Sequence, residues 1–171
     1  VKRHEKDRVL SIWSAGCACG EEPYNISMLL FDYLGPQAKD WDTRILATDI
    51  SAQALSKAQK GVYDLPDTIP PDWKKKYFTA NKDGSYTVAP AVRNNVIFRP
   101  FNLMDPIAFR RKFDLIFCRN VMIYFDQPTK DALVRRFYDA TVPGGYLLIS
   151  YSENLSPNAP YRRLATATFQ K

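Results

Sequence analysis

Ser11-Ile-Trp-Ser-Ala-Gly-Cys-Ala-Cys-Gly-Glu-Glu-Pro-Tyr24 is the stretch that decides the fold of this chain. Ser11 to Ser14 is short, apolar and bounded by loop residues, as a buried parallel strand should be. From Gly16 to Gly20 no side chain exceeds a thiol, so a ligand can lie against the backbone. Pro23 suits a first helical turn. Ile26, Leu29, Leu30 and Tyr33 then predict the apolar face of a helix.

A strand, a glycine loop and a helix at the start of an α/β domain form the usual beginning of a nucleotide-type site. Charge narrows the ligand. A pyrophosphate needs free N–H groups at the helix N-terminus. Here Glu21 and Glu22 stand at that point and would repel phosphates. They would attract an ammonium and a sulfonium, and S-adenosylmethionine carries both next to an adenosine. The same two carboxylates would also complement the helix dipole with no ligand at all.

The chain has 171 residues, the size of one domain, with 46% hydrophobic and 25% charged residues. No apolar run reaches the roughly 20 residues of a membrane span, and no secretory signal opens the sequence. Membrane insertion is therefore not expected. Three cysteines cannot all pair, which points to a reducing, cytoplasmic compartment. The lone histidine, His4, and the Cys17-x-Cys19 pair do not make a metal site. The net charge of +6 suits an acidic partner surface or nucleic acid, or belongs to a larger protein. Residues 1–9 open with Val and are mostly charged, so they read as the remnant of a linker.

Along the chain, Gly35-Pro36 ends the first helix, and Arg44 to Ile50 is a second strand. Asp49 closes that strand about one βαβ unit after the glycine loop, where an acidic residue can hydrogen-bond ribose hydroxyls. Ser51 is placed to cap the helix Ala52 to Lys60, with Gly61 as its stop. Pro66, Pro70 and Pro71 break the next segment. Asp72 to Tyr77 reads as a short helix. Phe78 to Ala80 and Ser85 to Val88 read as two strands of an inserted hairpin around Lys82-Asp-Gly-Ser85. Asn95 to Arg99 and Phe113 to Cys118 return to the sheet. Asp126 should cap a helix carrying Leu133, Phe137 and Ala140 inward, with Pro143-Gly-Gly145 as its stop. Tyr146 to Ser150 is a further strand, and Tyr161 to Phe169 a single antiparallel edge strand. This order predicts an α/β fold: a mostly parallel Rossmann-like sheet with helices on both faces and a small antiparallel insert at about 77–94.

Trp13-Ser-Ala, Gly20-Glu-Glu-Pro-Tyr, Ala47-Thr-Asp49, Phe101-Asn-Leu103, Phe117-Cys-Arg-Asn-Val-Met-Ile-Tyr-Phe-Asp126 and Ser152-Glu-Asn-Leu155 together resemble the chemotaxis receptor methyltransferases, the CheR family. The resemblance runs from about Val9 to the C-terminus. It implies a class I methyltransferase domain over residues 10–171, using S-adenosylmethionine and leaving S-adenosylhomocysteine. The reaction it implies is methyl transfer to glutamate side chains on the cytoplasmic helices of chemoreceptors. By the same resemblance, Ala15 and Gly16 border the cofactor, Glu22 meets its ammonium and Asp49 its ribose. Asn102 and Leu103 lie along the adenine, and Arg119, Asn120 and Val121 along the other side. Tyr124 stands near the transferred methyl, and Arg119 helps shape the acceptor channel. Read without the resemblance, Tyr124 and Phe125 are equally suited to core packing.

Two departures from the family pattern matter. Ala18-Cys19 stands where Ser-Thr or Ser-Ser often precedes Gly-Glu-Glu, which removes a hydroxyl from the loop. Family members also carry an upstream helical domain and a linker arginine that this sequence lacks, so it reads as a C-terminal catalytic domain. The loop Asn81 to Ser85 is short, and the expectation is a monomer that does not depend on a receptor tail peptide. Nucleic acid is not the expected partner. No Asn-Pro-Pro-Tyr type motif follows the Phe113 strand, which argues against amine or base methylation. Two alternatives remain: a cofactor- or receptor-binding sensor domain, and a methyltransferase for another acceptor.

Overall fold

The computed structural model describes residues 1–171, apart from the side chain of Lys2. Its centre is a seven-stranded sheet in the order β6-β2-β1-β7-β8-β10-β9. β1 (Ile12–Ala15) pairs in parallel with β2 (Ile45–Asp49) on one side and β7 (Phe113–Phe117) on the other. β2 carries β6 (Val96–Pro100) in parallel, and β7 carries β8 (Thr141–Leu148). β10 (Thr168–Gln170) runs antiparallel to β8 and is flanked by β9 (Arg162–Ala165) at the edge. Strands are thus added to one side of β1 and then to the other, and the switch point of such a sheet, where ligand crevices form, lies between the C-terminal ends of β1 and β7.

Alternation along β1 feeds two cores, because successive side chains leave opposite faces of a strand. Ile12 packs into the core formed with α1 (Glu21–Leu34) and α2 (Ala52–Lys60). Trp13, fully buried, packs into the core formed with α5 (Gln127–Ala140). The indole of Trp13 donates to Thr48 Oγ1 at 2.9 Å, which satisfies its buried N–H. Phe101, Phe109, Phe113 and Phe137 surround it with ring centroids 5.1 to 5.9 Å away. Helices therefore cover both faces of the sheet.

Both expected helix caps form. Ser51 Oγ accepts the Ala54 N–H at 3.2 Å, and Asp126 Oδ1 accepts the Thr129 N–H at 3.0 Å. Gly61 stops α2 in the left-handed region at φ 62°. The insert holds a short helix α3 (Pro71–Tyr77), the expected pair β4 (Phe78–Ala80) and β5 (Tyr86–Val88), and a five-residue helix α4 (Pro90–Asn94). A third strand, β3 (Val62–Tyr63), pairs with β5 on the side away from β4. Its two residues are too few to show a period in the sequence.

The structure departs from the sequence reading at four places. On α1, Tyr24, Ile26, Ser27, Met28 and Leu34 face inward, whereas Leu29 and Tyr33 are 54% and 71% exposed. The inner face is set by polar anchors: the Tyr24 hydroxyl donates to Ala58 O, and Ser27 Oγ accepts from Asn95 Nδ2 at 3.0 Å. Pro143-Gly-Gly145 does not end α5. The helix stops at Ala140, where Thr141 Oγ1 donates to Phe137 O at 2.7 Å and the backbone turns extended. The Pro-Gly-Gly run instead forms a bulge within β8, as the partner of β7 jumps from Thr141 to Tyr146. The expected single edge strand is a hairpin, β9 and β10, turning at Ala167 with φ 60°. Finally, the charged opening residues lie against the sheet: His4 Nε2 is 2.7 Å from Asp114 Oδ1, and Leu10 N–H donates to Asp42 O.

Candidate active site

The crevice at the C-terminal ends of β1, β2 and β7 gathers most of the expected residues. β1 ends at buried Ala15, and the chain turns at Gly16 with φ 85°. The N–H groups of Gly16 and Cys17 both donate to Thr48 O, at 2.8 and 2.9 Å, which stitches the loop to β2. A Cβ on Gly16 would stand 2.4 Å from Val121 Cγ2, so only glycine lets the two segments touch. Gly20 also adopts positive φ, at 92°, beneath the start of α1. Tyr63 of the insert donates its hydroxyl to Cys19 O at 2.6 Å and props the loop from below.

Three side chains supply the charge. Asp49 Oδ2 accepts the Ala18 N–H and Oδ1 the Ser51 N–H, both at 2.9 Å. Glu22 Oε1 accepts the Ser14 hydroxyl at 2.8 Å, and Oε2 lies 3.4 Å from Arg119 Nη1. Burial pushes the Glu22 carboxyl above the ordinary glutamate range, while the Ser14 hydroxyl and the Arg119 guanidinium pull it back. Cys17 is pushed up to about 12, chiefly by burial and next by the Asp49 charge. Its thiol is therefore neutral and no nucleophile. Among the described residues, no group of three or more His, Cys, Asp or Glu side chains could hold a metal ion.

The walls come from the loops after β6 and β7. Phe101 N–H donates to Asp49 O at 3.1 Å, which brings Asn102 and buried Leu103 to the end of β2. Arg136 of α5 donates to Leu103 O at 2.7 Å, and Asn102 Oδ1 accepts the Met104 N–H at 3.0 Å. After β7, Asn120 adopts φ 59°, held by its N–H to Ser150 Oγ at 2.7 Å. Val121 packs over Gly16, and Met122–Tyr124 form a 3-10 turn. Tyr124 lies at the surface, 80% exposed, and so is not the core residue that an aromatic after a strand suggests.

The structure thus brings together Ala15, Gly16, Glu22, Asp49, Arg119, Asn120 and Val121, with Asn102 and Leu103 on the β6 side. Ser14 and Glu153 stand in stretches that carry the family resemblance but receive no role in the sequence reading, and Ser150 is read only as the end of a strand; each hydrogen-bonds a crevice segment. Their signal is weak: a serine inside a strand, and a Ser-x-x-Glu run after one. The donor set suits a cationic nucleoside better than a polyphosphate. Two carboxylates and one paired guanidinium line the crevice, and two of the loop amides are already spent on Thr48. A separate groove of about 710 Å³ lies between α1 and the insert, lined by Met28, Tyr63, Trp73 and Phe78. It is set apart from the strand ends, where the charged groups converge.

Comparison with known proteins gives the family and the fold. Residues 1–169 match the family described as CheR methyltransferase, SAM binding domain. The chemotaxis protein methyltransferase of Borreliella burgdorferi is 41% identical over 165 residues, covering 95% of this chain and 58% of that protein. Chemotaxis protein methyltransferase 1 of Pseudomonas aeruginosa is 41% identical over 154 residues, covering 86% of this chain and 56% of that protein. That of Escherichia coli is 40% identical over 151 residues, covering 85% and 52%. The chain spans a little over half the length of these relatives. Among solved structures, the glycopeptide N-methyltransferase MtfA complexed with (S)-adenosyl-L-methionine superposes with TM-score 0.53 at 13% identity, over 82% of this chain and 43% of that one. An S-adenosylmethionine-dependent methyltransferase from Methanosarcina mazei gives 0.51 at 14%, over 83% and 52%. These likenesses show the class I methyltransferase fold. The family match over residues 1–169 and the relatives at about 40% identity show that the chain belongs to the CheR methyltransferase family, and what it contains is that family's SAM-binding domain.

Proposed function

We propose that this domain transfers a methyl group from S-adenosylmethionine to glutamate side chains on the cytoplasmic helices of chemoreceptors. The observation that carries the reading is the acid-lined crevice at the strand switch point, with Glu22 and Asp49 on either side of the glycine loop. S-adenosylmethionine supplies an electrophilic methyl group on a sulfonium. Glu22 would take the ammonium of its amino-acid end, with Ser14 orienting the carboxylate. Asp49 would accept the ribose hydroxyls. Asn102 and Leu103 would flank the adenine. Ala15, Gly16, Asn120 and Val121 would border the middle of the ligand, where the missing side chain of Gly16 lets Val121 close against the loop.

A glutamate acceptor is ionised at pH 7 and needs no general base. The negative charge of the acceptor and the positive charge of the sulfonium both fade as the methyl moves, so a strongly polar cradle would hinder. Rate then comes from alignment of carboxylate oxygen, methyl carbon and sulfur. Tyr124 and Arg119 are the residues assigned to the acceptor side. Arg119 is paired with Glu22 and so links the two halves of the crevice. The net charge of +6 favours the approach of an acidic receptor helix over that of a phosphate-bearing partner, given the carboxylates in the crevice.

The hairpin of the insert is short and self-closed, with Asn81 N–H donating to Ser85 O at 2.8 Å and Gly84 N–H to Asn81 O. This supports action that does not depend on a receptor tail peptide; a monomer is part of the same proposal. No helix among the described residues is long and apolar enough to cross a membrane, in keeping with a proposed cytoplasmic site of action. The test is transfer of a tritiated methyl group to receptor-bearing membranes. Base-labile label released as methanol is the expected result, since esters hydrolyse in alkali. Alkali-stable label would mean N-methylation and overturn the acceptor; no label would overturn the activity.

A further inference from the structure

The segment Arg119–Tyr124 carries residues of both the cofactor side and the acceptor side, yet it lies outside the regular strands and helices except for one 3-10 turn. Asn120 sits in the left-handed region, which asparagine tolerates better than most other non-glycine residues. What holds the segment is the end of β8. Ser150, 3% exposed, accepts the Asn120 N–H and donates its hydroxyl to Asn120 Oδ1. Glu153 completes the clamp. Its Oε2 accepts the Ser150 N–H at 2.9 Å, and its Oε1 accepts the Ile123 N–H at 3.1 Å. One carboxylate thus ties the residue beside Tyr124 to the serine that fixes Asn120. Below, Cys118 and Met122 are buried and anchor the same segment in the α5 core.

We propose that Glu153 is a positioning residue for methyl transfer, acting through Ile123 to set the place of Tyr124. The proposal rests on the methyltransferase reading above. Glu153 touches no reacting atom in this account. The carboxylate suits the task because two amides donate to it from different segments, and a carboxylate has an oxygen for each. The cofactor side of the segment has its own supports, Val121 on Gly16 and Arg119 on Glu22. Loss of Glu153 should therefore disturb the acceptor side first.

Glu153→Gln tests this, because the amide keeps one acceptor oxygen and sets an NH2 against an N–H. The expected result is a fall in kcat of about 10-fold from misplacement alone, with the Kd for S-adenosylhomocysteine unchanged within about twofold. Amide hydrogen exchange at Ile123 and Tyr124 should quicken. Introduced into a Tyr124→Ala background, Glu153→Gln should cost nothing further, since the residue it positions is gone. Equal losses in both backgrounds, cofactor affinity falling in step with turnover, or unaltered exchange at Ile123 would overturn the proposal. If the Gln chain does not fold, Glu153→Asp, too short to reach both amides, gives the same reading. A wild-type chain that transfers no methyl group would count against the proposed function alone, and exchange at Ile123 and Tyr124 would then decide the positioning.

Discussion

The Asp49 carboxylate accepts the Ala18 backbone N–H at 2.9 Å, so the end of β2 holds the loop that leaves β1. Its other oxygen accepts the Ser51 N–H at the start of α2. Each carboxylate oxygen can accept a second donor, so the residue can hold the loop and receive ribose hydroxyls together. Hydrogen bonds to a charged group contribute about 1.5–3 kcal/mol. Asp49→Ala should therefore weaken S-adenosylhomocysteine binding by roughly 10- to 100-fold by calorimetry. Unchanged affinity would refute the ribose assignment.

Glu22 sets the pH dependence. Burial raises its carboxyl pKa, against the pull of Ser14 and Arg119. A raised acid binds its proton more readily folded than unfolded, so its ionisation costs folding stability; that cost is absent at low pH and grows as pH rises through the raised value. Cofactor affinity has the opposite slope, because an ammonium is held by the ionised form. Affinity should fall on acidification below neutrality, earlier than an ordinary glutamate would give. Glu22→Gln should lower affinity at pH 7 and flatten this fall. A wild-type profile no different from that of an ordinary exposed glutamate would contradict the assignment.

Gly16→Ala adds a Cβ where Val121 Cγ2 stands 2.4 Å away and where φ is 85°. Left-handed strain costs about 1–2 kcal/mol and overpacking about 1–3 kcal/mol, about 2–5 kcal/mol together. Thermal unfolding should reveal a loss of that size, with weaker cofactor binding, because Val121 must move. Unaltered melting and binding would mean that loop and wall are not in register as described.

Tyr124→Phe removes one hydroxyl from a ring that is 80% exposed. Stability should change by less than about 0.5 kcal/mol, as for surface substitutions generally. If the hydroxyl serves the acceptor side, kcat falls while cofactor affinity holds. A fall in affinity with kcat preserved would move Tyr124 to the cofactor side.

Much of the fold could be read from local rules. The buried strand, the glycine loop and the capped starts of α2 and α5 depend on residues a few positions apart, and each formed where expected. One spacing put Asp49 at the end of β2, where it stands. What could not be read depends on distant partners. Ser27 faces inward because Asn95, 68 positions away, meets its hydroxyl, so the burial stripe of α1 differs from its hydropathy stripe. Pro143-Gly-Gly145 looks like a helix stop until β8 is laid beside β7, where the run forms a bulge in β8. In the crevice, Ser150 and Glu153 act on backbone 30 positions earlier, and no local pattern marks such a contact. Across β9 and β10, one turn residue with positive φ divides what reads as a single strand.

The central claim is that the crevice between β1 and β7, and not the 710 Å³ groove beside the insert, receives a cationic nucleoside. A crystal structure with S-adenosylhomocysteine tests it most directly. The account requires the ligand's ammonium within hydrogen-bond reach of Glu22 and its ribose hydroxyls on Asp49. Density for the ligand in the groove lined by Trp73 and Phe78, with the crevice empty, would contradict it.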